Sequence, residues 1–313
     1  MTFTSDICRL LDNKHEFTKF CKKLGMNSEF LLPSVVCYNN EDVLALNKKL
    51  ENSGDCFVLK NLEYDAIHRL DLFTLPKPEN ELLEYLQKIS KDGNPITPDS
   101  PWQAQRYVDI ETEICTTVTV KNNQLKLISS TKSSPSQLRY HYMDIPFAKK
   151  WVLEFCEKLE AANEEFSGQF CLDFLKCRKT KKFYPIECNP RIHSLTCVYN
   201  CLQDQLAYAS AALGDEVENL EPQKSNYYFG WLAYELMSKI PLVKDLYSIK
   251  FMDAKDVRGM IFKDADFDSE DVMPFFGRNI FQPLVLLWHT FLSGNDWVKY
   301  DFCIGKVVEM NGI

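Results

Sequence analysis

The chain has 313 residues, with 36 Lys and Arg against 44 Asp and Glu, a formal net charge of −8, 45% hydrophobic and 26% charged residues. This is ordinary globular composition and excludes both a disordered chain and a basic nucleic-acid-binding arm. The length exceeds or reaches the roughly 250 to 300 residues at which single cores stop growing, so two packed units are expected. There is no run of about 18 apolar residues, and Asp6, Arg9 and Asp12 interrupt the N-terminal stretch. Neither a membrane span nor a signal peptide is expected, and the chain reads as soluble and cytoplasmic. Its 12 cysteines sit in apolar contexts such as Phe20-Cys21 and Phe170-Cys171-Leu172 with no CxxC pair, which argues for small buried hydrophobes over a zinc site or a disulfide framework.

Asp12 or Asn13 is a helix N-cap, and Phe17, Phe20, Cys21 and Leu24 follow at helical spacing until Gly25. The apolar run Leu31 to Tyr38, the helical spacing of Val43, Leu44, Leu46 and Leu50, and the run Cys56 to Lys60 predict strand, helix and strand, with Gly54-Asp55 as a turn. Asn61 to Pro78 has no clean period and predicts a long loop; Glu81 to Ile89 predicts a helix ended by Asp92-Gly93-Asn94-Pro95. From Trp102 to Ile128 the alternation and the Val, Thr and Ile content predict antiparallel strands, with Asn122-Asn123 as a tight turn. A helix is expected over Ala148 to Ala162. Phe170 to Leu175 and Lys182 to Glu187 are expected to form a hairpin around the basic turn Arg178 to Lys181. Beyond Asp204 the chain reads as mostly helical, with Tyr228 to Ser238 and Pro283 to Leu292 as the strongest apolar segments.

Chemistry concentrates on that last hairpin. Asp173 lies on one strand, and Glu187 and Asn189, two apart, share a face of the other. Three oxygen donors in one place suit a hard cation such as Mg²⁺, which leaves further positions to phosphate and water. Arg191 projects towards the same space and can fork onto a phosphate. The competing reading is a hairpin whose acids face solvent, but Glu187 and Asn189 are embedded between Tyr184-Pro185-Ile186 and Pro190 rather than in a polar run. Lys60 ends an apolar run, where it either meets an anion or snorkels to the surface.

Phe170-Cys171-Leu172-Asp173-Phe174 followed by Tyr184-Pro185-Ile186-Glu187-Cys188-Asn189-Pro190-Arg191 resembles the magnesium-binding hairpin of ATP-grasp ligases, and the resemblance runs in order over residues 12 to 215. It implies an α+β ATP-grasp fold: a small lobe over residues 1–100, a large lobe over 101–215 with the metal-binding hairpin, and a mainly helical extension over 216–313 packed on the large lobe. It implies ATP and Mg²⁺ as cofactors, with Asp173, Glu187 and Asn189 as metal ligands and Lys60, Arg191 and His193 in catalysis. Lys60 resembles the strand lysine that reaches the ATP phosphates, and Lys14 a second phosphate-contacting lysine. Gln105-Arg106-Tyr107-Val108 resembles the hinge between lobes whose backbone reads adenine. Glu113 is the candidate for the ribose hydroxyls, with Glu111 close enough to compete. His68 and Arg69 lie in the loop expected to close over the phosphates, although its usual glycine-rich form is absent. His193 and Ser194 are acceptor-site candidates, a structural role for His193 being the alternative.

Asp65 to Leu72, Gly93 to Pro98, Ser133 to Gln137, Ile186 to Ser194 and the tail from Pro274 to Lys306 resemble the ATP-grasp ligases of mycosporine biosynthesis, which join glycine to 4-deoxygadusol. The reaction so implied is formation of a carbon–nitrogen bond with release of ADP and phosphate; another amino-acid or carbamoyl-type ligation, or a nucleotide-binding protein without catalysis, are the alternatives. Small-molecule substrates are implied, with no nucleic acid and no membrane; a homodimer is left open. Family members carry a further α/β domain ahead of the position of Lys14, for which there is no room here. The expectation is a fragment, a shortened isoform or a protein that borrows that surface from a partner, able to bind Mg-ATP and turning over weakly or not at all by itself.

Overall fold

The computed structural model describes residues 4–63, 68, 71–133, 139–199, 201–215, 217, 221–222, 227–229, 232, 261, 263–293, 297–301 and 306–309. Among the described residues no helix is long and apolar enough to cross a membrane.

Helix α1 (Ser5–Asp12), absent from the sequence expectations, precedes the helix that was expected, α2 (Lys14–Lys23). Asn13 separates them: its side-chain oxygen accepts the N–H groups of His15 and Glu16, each at 3.0 Å, satisfying two donors that have no partner inside the helix. Gly25, at φ +74°, stops the pattern, a conformation that costs a residue with a Cβ.

The first four-stranded sheet, in the order β1-β4-β2-β3, comprises β1 (Ser34–Cys37), β2 (Phe57–Asn61), β3 (Thr74–Leu75) and β4 (Trp102–Arg106). Helices α3 (Asn40–Leu50) and α4 (Glu79–Lys91) cover it. Their Val43, Leu50, Leu82, Leu86 and Ile89 form one core with Phe57, Leu59, Trp102 and Ala104. Alternation then turns Lys60, Gln103 and Gln105 to the opposite face.

The second sheet, in the order β6-β5-β8-β9, is antiparallel throughout: β5 (Ile110–Lys121), β6 (Gln124–Lys132), β8 (Gly168–Cys177) and β9 (Phe183–Asn189). Asn122 and Asn123, at φ 47° and 60°, form the tight β5–β6 turn with both central residues left-handed, which asparagine tolerates. Helix α5 (Pro146–Ala161) and helices α1 and α2 all pack on one face of this sheet, where Leu11, Phe17, Trp151, Phe155, Phe170, Leu172 and Phe174 share a core. The apolar side chains of the first 31 residues thus lie with the second sheet rather than with β1–β4. A smaller cluster on the other face joins Cys115, Leu127 and Cys171 to Tyr140 of β7 (Arg139–His141), to Leu195 and Val198 of the 3₁₀ turn Ser194–Val198, and to Ala211 of α6 (Leu202–Leu213).

Beyond residue 215 the described part is mixed. Helix α7 (Gln282–Ser293) falls where Pro283 to Leu292 was read as apolar, while β10 (Tyr227–Phe229) pairs with β7, and β11 (Trp297–Asp301) pairs with β12 (Lys306–Glu309). Among the described residues these short strands accompany the helices expected beyond Asp204, because short segments that find a pairing partner take extended form. Most of Tyr228 to Ser238 lies outside the described residues.

Candidate active site

Register places the acidic set. Cys115 on β5 faces Asp173 on β8, and Asp173 faces Glu187 on β9, while Cys171 faces Asn189. The register slips between Asp173 and Phe174, whose partner is Pro185, so Ile186 is an extra residue in β9. A bulge at a proline is coherent, because Pro185 has no N–H to give to the ladder, and it aims Glu187 beside Asp173. The amide nitrogen of Asn189 donates to Asp173 Oδ2 at 3.3 Å and to Glu187 Oε1 at 3.2 Å. The three predicted oxygen-bearing side chains are therefore contiguous.

Both predicted lysines join them. Lys14 Nζ lies 3.1 Å from Glu187 Oε2, so the first residue of α2 reaches the hairpin. Lys60, on the outward face of the first sheet, lies within the fields of Glu187, Lys14 and Glu113. Burial lowers the Lys60 ammonium from its usual range. Burial would push Glu187 up, but Lys14 and the hydrogen bonds from Asp173 and Asn189 outweigh it and hold Glu187 down to about 2. Asp173 moves the other way: burial first, then the neighbouring Cys171 and Glu187, push it well above the carboxylate range. Two carboxyl groups this close do not both ionise without cost, so one is raised while the other is lowered.

Glu113 and Glu111 separate in the structure. Burial and the charge of Glu187 push Glu113 up, although Ser133 and Lys60 offset part of this. Glu111 instead pairs with Lys176 at 2.9 Å and Lys181 at 2.6 Å on the surface. Only Glu113 stands with the group around Glu187. The segment Gln105 to Val108 runs from the end of β4 towards β5, between the two sheets. Arg106 N–H donates to Pro33 O and Tyr107 N–H to Cys56 O, while Val108 is buried and Tyr107 is exposed. Arg106 is further tied to Asp55 at 3.0 Å.

His68 is not brought to this group. It is buried beside the first sheet, 3.0 Å from Asp92 Oδ2 and 3.4 Å from the Asn94 amide, with its ring against Trp102. Its side chain thus holds the long loop to the end of α4. Arg69 lies outside the described residues. Arg191 is exposed just past β9, its N–H donating to Asn189 O at 2.8 Å. Gln103 belongs to this face although no sequence motif singles it out: it sits opposite Lys60 in the β2–β4 register, is fully buried, and neither end of its amide has a partner among the described residues. The signal was present, since alternation with Trp102 and Ala104 puts Gln103 beside Gln105.

His193 carries a tautomer choice. Its Nδ1 accepts the Leu195 N–H at 3.0 Å, which leaves the proton on Nε2. Burial and then the charge of Arg191 lower it to about 4. Unfolded histidine titrates near 6.5, so between these values the unfolded chain binds more protons and stability falls as pH falls. The expected contribution lost between pH about 6.5 and 4 is at most about 3 kcal/mol. Urea unfolding at pH 7 and 4.5 should show a smaller pH loss in His193→Gln than in the native chain; equal losses would mean that the imidazole is not held neutral.

No protein-family model matches the chain, and no curated protein matches it. Solved structures do. N5-carboxyaminoimidazole synthetase from Staphylococcus aureus, complexed with ADP, is 18% identical with a TM-score of 0.51, over 73% of this chain and 58% of that one. N5-carboxyaminoimidazole synthase from Aspergillus clavatus, in complex with ADP and aminoimidazole ribonucleotide, is 14% identical with a TM-score of 0.51, over 75% and 63%. Phosphoribosylamine–glycine ligase from Thermotoga maritima is 14% identical with a TM-score of 0.52, over 72% and 59%. The chain thus spans about three fifths of the length of these proteins. With its two antiparallel sheets and their helical cover, this chain has the ATP-grasp fold.

Proposed function

We propose that the chain is an ATP-dependent ligase that forms a carbon–nitrogen bond. The observation that carries this reading is the convergence of Lys14, Glu113, Asp173, Glu187 and Asn189 with Lys60, which comes from the other sheet. A cluster of cations and carboxyl groups between two lobes suits a polyphosphate and its metal better than it suits a folding role, since buried charges are costly when they serve stability alone.

The donor set fits Mg²⁺. Asp173 and Glu187 offer carboxylate oxygens, and Asn189, whose amide nitrogen now points at both, offers its oxygen after a rotation about its last side-chain bond. Mg²⁺ held by these residues would neutralise phosphate charge during transfer. On this reading Lys60 and Lys14 bind and orient phosphate, Glu113 takes the ribose hydroxyls, and the backbone of Gln105 to Val108 reads the adenine edge. Gln103 adds a buried amide next to Lys60. Arg191, beyond the hairpin, reaches the phosphoryl group as it leaves ADP. Work of this kind is positioning and electrostatics.

The leading substrates are the enolic cyclohexenone 4-deoxygadusol and glycine, on the resemblance of the segments named above. Phosphorylation of the enol oxygen converts it to a leaving group; attack of the glycine amine on that carbon, loss of phosphate and of a proton give mycosporine-glycine, ADP and phosphate. Lys60→Met keeps the apolar stem and removes the charge. It is expected to weaken Mg-ATP binding by about tenfold or more while the melting temperature without nucleotide holds. Titration calorimetry and thermal melting check this, and an unchanged dissociation constant would return Lys60 to a surface role. ADP release that depends on glycine and on the cyclohexenone tests the reaction itself.

A further inference from the structure

On the same sheet face as the acidic group, but nearer to α6, stands a set of soft ligands. Cys115 Sγ and Cys171 Sγ are 3.2 Å apart across β5 and β8, and Cys115 Sγ lies 3.6 Å from His193 Nδ1 and 3.7 Å from Nε2. One ligand atom from each residue falls within 4.8 Å of the others. We propose that Cys115, Cys171 and His193 form a binding site for a zinc-type divalent cation.

The edges of the triangle fit. A tetrahedral ion with bonds of about 2.3 Å to sulfur and about 2.0 Å to nitrogen has sulfur–nitrogen edges of about 3.5 Å and a sulfur–sulfur edge of about 3.8 Å. The 3.6 Å from Cys115 Sγ to His193 Nδ1 already matches one sulfur–nitrogen edge, Cys171 Sγ lies within 4.8 Å of the ring, and the two sulfurs need to part by about 0.6 Å. The Leu195 hydrogen bond selects the imidazole tautomer with its lone pair on Nδ1, so coordination there exchanges one backbone donor for the ion and leaves the Nε2 proton in place. Cys115 and Cys171 enter as thiolates and release two protons for each cation bound. Leu127, Tyr140, Leu195 and Val198 pack in one cluster with the two cysteines. A water completes the fourth position.

The site joins β5 and β8 to the segment after β9 that carries Arg191 and His193. A bound cation would therefore tether that segment to the sheet and stabilise the native chain by ordinary linkage. The site shares His193 with the acceptor-site candidates named above but needs no nucleotide, so its test reads cation binding independently of the ligase reaction.

The test uses the full chain, reduced and metal-free, titrated with Co²⁺ and then Zn²⁺. The expected result is one equivalent of Co²⁺ giving thiolate-to-cobalt charge-transfer absorption, displaced by Zn²⁺, with a higher melting temperature on Zn²⁺ addition. Cys115→Ser should abolish the band, whereas Cys8→Ser, far along the chain in α1, should keep it. His193→Gln leaves both thiols in place and should weaken binding by about tenfold or more, which covers the case where Cys115→Ser does not fold. An absent band, or a band that survives Cys115→Ser unchanged, or equal affinity in His193→Gln, overturns the assignment.

Discussion

Glu187→Gln is expected to lower ADP formation about a thousandfold, equivalent to about 4 kcal/mol of transition-state stabilisation, with little change in fold. The side chain keeps its shape and loses one charge. That charge holds Lys14 at 3.1 Å and accepts the Asn189 amide at 3.2 Å, so its removal loosens a phosphate lysine and a cation ligand together. The pair is partly exposed, with 24% and 28% of the two side chains accessible, so the ion pair itself adds at most about 1 kcal/mol to stability. Activity and stability should therefore separate: steady-state ADP release collapses and the urea midpoint barely moves. Release within tenfold of the native rate would remove Glu187 from the reaction. A large loss of stability with proportionate loss of activity would make the carboxylate structural instead.

Phe155→Ala is expected to cost about 3 to 5 kcal/mol of folding stability, a large share of the about 5 to 15 kcal/mol that holds a domain together. Phe155 is 1% exposed, and its ring lies 5.3 Å from that of Trp151, 5.7 Å from Phe166, 6.2 Å from Phe20 and 6.5 Å from Phe170. Those partners come from α5, the segment before β8, α2 and β8, so one truncation opens a cavity where four elements meet. The same sheet carries Asp173 and Glu187 on its other face, and a variant that still folds should bind Mg-ATP with little change, since Phe155 touches none of the charged group. Urea unfolding checks the first part; a loss below about 1 kcal/mol would mean that this aromatic cluster closes over the gap.

What the sequence by itself determined is the local part. Asn13 caps α2 because its short side chain can reach two N–H groups of the next turn, and that geometry needs no distant partner. Asn122-Asn123 makes the β5–β6 turn because asparagine tolerates the left-handed region twice over. Alternation marked Trp102 to Ile128 as strands, and the spacing of Glu187 and Asn189 put both on one face. The tertiary structure decided the rest. The pairing of Lys14 with Glu187 joins residues far apart in the chain, and it follows from α2 packing beside β9, which no local period encodes. The extra residue Ile186 sets which side chain opposes Asp173, and register is a property of two strands together. His68 was placed over phosphate by its loop, yet Asp92 and Asn94 at the end of α4 hold it in the core. Cys115, Cys171 and His193 read as unrelated residues along the chain because metal spacing is recognisable only within a short motif. They meet because antiparallel pairing of β5 with β8 lays the two thiols diagonally on one face, and the turn after β9 brings the imidazole back over them.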